Sequence, residues 1–234
     1  MSLGFSKKTF EYFDAAKQHG LEKEWFDEKR KQEFEEYVVV PMTHLVMEMR
    51  AALGDALPGV EFSARKITKP VKRQTGNAEQ VAVRTNATAF FSERPTSMFE
   101  MNPGIYFSVG AATDDNVCGV GLYMPSSRQM KLLRPRVNVE TASLEAVLDS
   151  AGVKQLWGGL AGERFKRFPK QCDQTAPGAE YLWQKQFFLS QTMDRAQMMA
   201  EGFAGQVVDD LRVAAPFLQW VRQTVGVYRK SVGE

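Results

Sequence analysis

The chain has 234 residues, 44% of them hydrophobic and 25% charged, with a formal net charge of +2. That is the balance of an ordinary globular protein whose core needs no staples; no apolar run approaches the roughly 18 residues that span a bilayer. The start, MSLGFSKKTF, has neither an apolar signal region nor a cleavage site, so a cytoplasmic protein of bacterial style, without membrane contact, is expected.

The only two cysteines, Cys118 and Cys172, are far apart and in dissimilar contexts, which excludes a disulfide framework and a CxxC metal site. With His19 and His44 as the only histidines there is no metal-binding histidine cluster, and neither a metal nor a cofactor is expected. The net charge conceals an asymmetry: residues 1–60 sum to −3, 61–136 to +5 and 137–234 to zero. An anionic partner would be drawn to the middle of the chain first.

Taken in order, GFSKKTFEYFDAAKQHG opens a helix at Ser6, with Phe5 and Phe10 placed to clasp one another and Gly20 placed to end it. From Glu22 to Leu53 apolar residues recur every three to four positions, and Pro41 predicts a kink or a break into two helices near Val40. After the LPGV turn at 57–60 the period moves toward two. Residues 81–91 alternate as a half-buried strand, and 104–112 with 116–124 form a hairpin about TDDN. Residues 60–68 and 186–191 would extend the same sheet. Helical patterns return at 126–134, 139–151 and 178–185, then from Asp194 to Gly226 with an interruption at Pro216. No internal repeat or low-complexity segment appears. The expectation is one α+β domain over 1–234: helical to residue 56, mainly sheet over 57–125, and helical with one further strand over 126–234. The antiparallel sheet should have about five strands, flanked by the N-terminal and C-terminal helices.

Few segments look like chemistry. CGVGLYMPSS, 118–127, lacks the third glycine of a dinucleotide fingerprint and the Gly-Lys of a phosphate loop. Its spacing puts Gly119, Gly121 and Tyr123 on one strand face, either a seat for a helix or the floor of a groove. The run ARKITKPVKRQ, 64–74, carries Arg65, Lys66, Lys69, Lys72 and Arg73 without an acid. Such a run is a solvated face unless it converges with Arg84, Arg128, Lys131 and Arg134 to form a cationic rim for phosphate or carboxylate groups. The segment from Gly162 to Trp183 adds Lys166, Arg167 and Lys170 in a proline-containing loop, read either as a functional loop or as a strap across the sheet. No nucleophile elbow, Cys/His pair or spaced carboxylate pair is present, so no catalytic residue is assigned.

The ordered blocks GFSKKTFEYF, EWFDEKRKQEFEEYVVVP, GIYFSV with GVGLYMPSS, LAGERFKRFPK, KQFFLSQ and LRVAAPFLQWV resemble a bacterial family of conserved hypothetical proteins, the domain-of-unknown-function 2461 family, over roughly 5–225. The resemblance implies one compact α+β domain and no established activity, substrate or cofactor. It also marks a departure. The family's segment R-D-x-R-F-S-x-D-K-x-P-Y-K is here only partly kept, as Arg65, Lys72, Arg73 and Arg84, and Ala176 stands where the family often has histidine before Pro177.

The leading expectation is therefore an anionic small molecule bound on a basic sheet surface by Arg65, Lys72, Arg73, Arg84, Tyr106, Gly121, Tyr123, Arg128 and Lys166. One rival is a hydrolase or transferase acting on a phosphorylated or nucleic-acid substrate, which needs a carboxylate such as Glu61, Glu100 or Asp173 beside the arginines. A second rival, less favoured, is a nucleic-acid-binding module in which Tyr106, Phe107 and Tyr123 stack bases.

Overall fold

A computed structural model describes residues 4–19, 25–71, 83–93, 101–170 and 172–226. Helix α1 (Lys7–His19) buries Phe10, Tyr12, Phe13 and Ala16 along one face, as the sequence spacing requires. The expected break near Val40 takes another form. Helix α2 (Glu28–Phe34) passes through a π turn (Glu35–Val39) into α3 (Val40–Leu53) without interruption. Pro41 has no amide to offer the carbonyl four residues back, which is Tyr37 O. The fully buried Thr9 of α1 donates its hydroxyl to that oxygen at 2.7 Å, so the defect in one helix becomes the joint to another.

The sheet is an antiparallel meander in the order β1 (Asn86–Ser92), β2 (Gly104–Gly110), β3 (Val117–Leu122), β4 (Phe187–Thr192). It thus has four strands among the described residues, rather than about five. Residues 60–71 do run along the outer edge of β1, with Glu61 N–H to Ser92 O, Thr68 N–H to Thr88 O and Arg84 N–H to Pro70 O, but they never form a ladder. A 3-10 turn at Ala64–Lys66 consumes the pairing, and Pro70 has no amide to donate.

One face of the sheet is covered. Ala89, Phe91, Ile105, Phe107, Val120 and Leu189 are buried in the main core, together with Val207, Leu211, Phe217 and Val221 of α8 (Phe203–Val225). Phe107, one of the rings expected to stack bases, is 1% exposed and stacks on Phe5 at 6.0 Å. Cys118 lies on this inner face between Phe107 and Gln191, fully buried, and burial pushes its thiol well above the ordinary range.

The helices α4 (Ser127–Val139), α5 (Thr141–Leu148), α6 (Ala151–Trp157) and α7 (Arg195–Met199) complete the α+β domain. The helix expected over 178–185 is only a 3-10 turn at Tyr181–Trp183. Pro216 does not interrupt α8, because it sits on the solvent side, where the carbonyl it leaves free faces water. No helix among the described residues is long and apolar enough to cross a membrane.

Candidate anion-binding cleft

The two glycines of CGVGLYMPSS share a strand face by register, but their backbone conformations differ. Gly119 pairs with Tyr106 on one side and Ser190 on the other, on the face the helices do not cover. A methyl added there would meet only ordinary contacts: Leu189 O at 3.5 Å, and Phe188 and Tyr106 atoms at 3.9 Å. Gly121 has φ +126°, and a Cβ there would lie 2.4 Å from Phe187 O and 2.9 Å from the Phe217 ring. It is the seat for α8. Tyr123, just past β3, is 53% exposed and meets Phe188 edge-on at 5.1 Å, and Tyr106 is 36% exposed. Partial burial raises the Tyr106 phenol above its ordinary value. These rings and Gly119 form an open aromatic trough.

The chain then turns into α4. Ser126 caps it reciprocally with Gln129, whose carboxamide also donates to Met101 O at 2.8 Å. Met130, Leu133 and Val137 face the core, which turns Arg128 and Lys131 outward and leaves Arg134 half-buried.

Residues 160–170 form the strap that faces this helix. Ala161 N–H donates to Phe188 O at 2.9 Å, Lys185 N–H to Glu163 O at 2.9 Å and Phe165 N–H to Trp183 O at 2.8 Å. Phe168 packs edge-on against Trp183 at 5.3 Å. The Lys185 ammonium pairs with Glu163 and holds that carboxyl below its ordinary range. The strap and α4 enclose a cleft of about 340 Å³ lined by Arg134, Phe165, Pro169 and Lys170. The Arg134 guanidinium lies over the Phe165 ring at 5.6 Å, and its Nε is buried with no hydrogen-bond partner. No carboxylate lines the cleft. Among the described residues, Lys131, Arg134, Lys166, Arg167 and Lys170 take part in no ion pair.

The residues singled out from sequence fall into three groups. Tyr106 and Tyr123 meet at the trough, and Arg128 and Lys166 stand on the two elements that form the cleft. Arg65 is exposed on the 3-10 turn beside β1, next to a Lys66–Glu61 pair at 3.4 Å. Arg84 enters β1 at the far end of the sheet, its Nε buried and unpartnered. Six strand steps, roughly 20 Å, separate that end from the end where Tyr123 leads into α4, so a single rim does not form. Lys72, Arg73 and Glu100 lie outside the described residues. The carboxylates an enzyme would use are otherwise engaged: Glu61 pairs with Lys66, and Asp173 accepts from Thr175 N–H at 2.8 Å and Thr175 Oγ1 at 2.7 Å, which lowers its pKa. Sequence reasoning had not joined Arg134 to Lys170, although both stood in the basic runs it marked.

No curated protein and no solved structure matches the chain. A family model described as "Conserved hypothetical protein (DUF2461)" matches residues 8–220, from the first turn of α1 to the last turns of α8. The chain belongs to that conserved hypothetical family.

Proposed function

We propose that this protein binds a small ligand bearing a phosphate or carboxylate group in the cleft between α4 and the 160–170 strap. The observation that carries the reading is Arg134: a guanidinium with a buried, unpartnered Nε, in a cleft that also holds Lys170 and no acid. A buried N–H without an acceptor costs about 1–3 kcal/mol, and a rotation of the guanidinium that turns it to an anionic oxygen in the cleft removes that cost while adding charge-assisted bonds. Lys131, Lys166 and Arg167 flank the cleft and add to the local positive field. The aromatic trough on the sheet offers a surface for a planar part of such a ligand. Binding is favoured over catalysis because Glu61 is held in an ion pair, Asp173 in a turn with Thr175, and neither lines the cleft.

The test is thermal unfolding with inorganic phosphate, against chloride at matched ionic strength. Phosphate at 100 times Kd stabilises by about 2.7 kcal/mol, a rise of about 5–10 °C for a chain of this size. The rise should vanish in the double variant Arg134→Gln with Lys170→Ala and persist in Arg84→Ala. An undiminished rise in the double variant removes the cleft as the binding site.

A further inference from the structure

A second cleft has the opposite chemistry. About 530 Å³ in volume, it lies between the end of β4, α7 and the first turns of α8, and its carboxamides and carboxylates are those of Gln191, Gln197, Glu201, Gln206, Asp209 and Asp210. No lysine, arginine or histidine lines it. At its inner wall Asp210 is 8% exposed. Gln206 Nε2 donates to Asp210 Oδ1 at 2.8 Å, and Gln191 Nε2 donates to Oδ2 at 3.0 Å. Those carboxamides are neutral. They satisfy one acceptor site on each oxygen and leave the charge uncompensated, and no cation pairs with Asp210 among the described residues. A carboxylate this buried is costly without a countercharge. The exposed Glu201 adds negative potential at the mouth, whereas the charge of Asp209 is offset by Arg212 at 2.7 Å.

We propose that this cleft is a binding site for a small aliphatic amine, whose ammonium donates to the free lone pairs of Asp210 and supplies the missing charge. An ammonium suits the donor set better than a metal ion: the carboxamides turn N–H groups toward the carboxylate, leaving their carbonyl oxygens to accept from further ammonium protons. No group of three or more His, Cys, Asp or Glu side chains among the described residues is placed to hold a metal. The volume falls within the range of small-ligand sites.

The experiment titrates the full chain with 1,4-diaminobutane, by calorimetry and thermal unfolding, in the wild type, Asp210→Asn, Asp209→Asn and Gln206→Lys. The amine should bind the wild type and Asp209→Asn and raise their Tm, with affinity at least tenfold weaker in Asp210→Asn. Without amine, Asp210→Asn should unfold at or above the wild-type Tm, since it removes an uncompensated charge and either glutamine amide can turn to suit it. Gln206→Lys places a tethered ammonium one turn before Asp210; it should raise the Tm by itself and abolish the response to amine. Absence of binding to the wild type overturns the proposal, as does equal binding by Asp210→Asn. An Asp210→Asn chain that unfolds several degrees early or fails to fold overturns it too, because the carboxylate is then a structural acceptor.

Discussion

Two sets of arginines and lysines divide this molecule. Arg136, Arg195 and Arg222 are bound on several sides. Arg136 bonds Glu140 and Trp220 O and lies over the Trp220 ring at 4.7 Å; Arg195 grips both oxygens of Asp14 and also Ala111 O. Arg222 joins Glu93 to Pro58 O, with the paired side chains only 14% and 18% exposed. Lys131, Arg134, Lys166, Arg167 and Lys170 take part in no ion pair among the described residues, and Arg134 keeps a buried donor unused. The difference teaches that net charge describes neither set. The first set closes the fold by joining segments far apart in sequence, and its charges are spent; the second is held by aromatic and backbone contacts that leave its charges available.

The division can be broken at its strongest point first. Arg222→Ala strands Glu93 in a nearly closed site and should cost about 2–3 kcal/mol, a Tm loss of roughly 5–10 °C. A loss below about 2 °C would place Arg222 with the unspent cations. Next comes acid unfolding of Arg195→Leu. The Arg195 guanidinium holds the Asp14 carboxyl below its ordinary value of 3.8, so the pair's contribution is complete above about pH 5 and is lost as pH falls through the depressed value. The stability gap to the wild type should be about 1 kcal/mol at neutral pH and narrow below pH 4, because both side chains are more than a third exposed. A gap unchanged from pH 6 to 3 would mean that Arg195 acts only by packing on the Phe10 ring, over which its guanidinium lies at 4.9 Å. Smallest of all, Lys166→Ala and Lys170→Ala should each change stability by no more than about 0.5 kcal/mol while Lys170→Ala weakens the phosphate response; a large loss of stability there would make the strap's cations structural.

The parts of the fold that were legible are those set by local rules. The hairpin of β2 and β3 follows from alternation about TDDN, and β4 from the apolar alternation of QFFLSQ. The misread parts each depend on a partner. Residues 60–68 alternate like a strand, but Pro70 and the 3-10 turn give β1 no ladder to extend. Pro41 looks like a helix break until Thr9, 28 residues before the Tyr37 carbonyl, supplies the missing bond. The cleft was hidden for the same reason. Arg134 and Lys170 are brought together only when the strap pairs with Trp183 and Lys185, and no local pattern announces that pairing. Arg65 and Arg84 carried the same charge in the sequence as Arg134; only the sheet register shows which end each one serves.

The burial of Cys118 makes the molecule its own clock. A thiol reacts as thiolate, and one sealed between the sheet and α8, with its ionisation suppressed, can be modified only after that layer opens. Cys172, only partly buried on the loop beyond the strap, answers to local exposure instead. With a disulfide reagent the two should react in separate phases, each releasing one equivalent of reagent thiolate as the mixed disulfide forms, the fast phase marking the loop and the slow one timing the parting of helix from sheet.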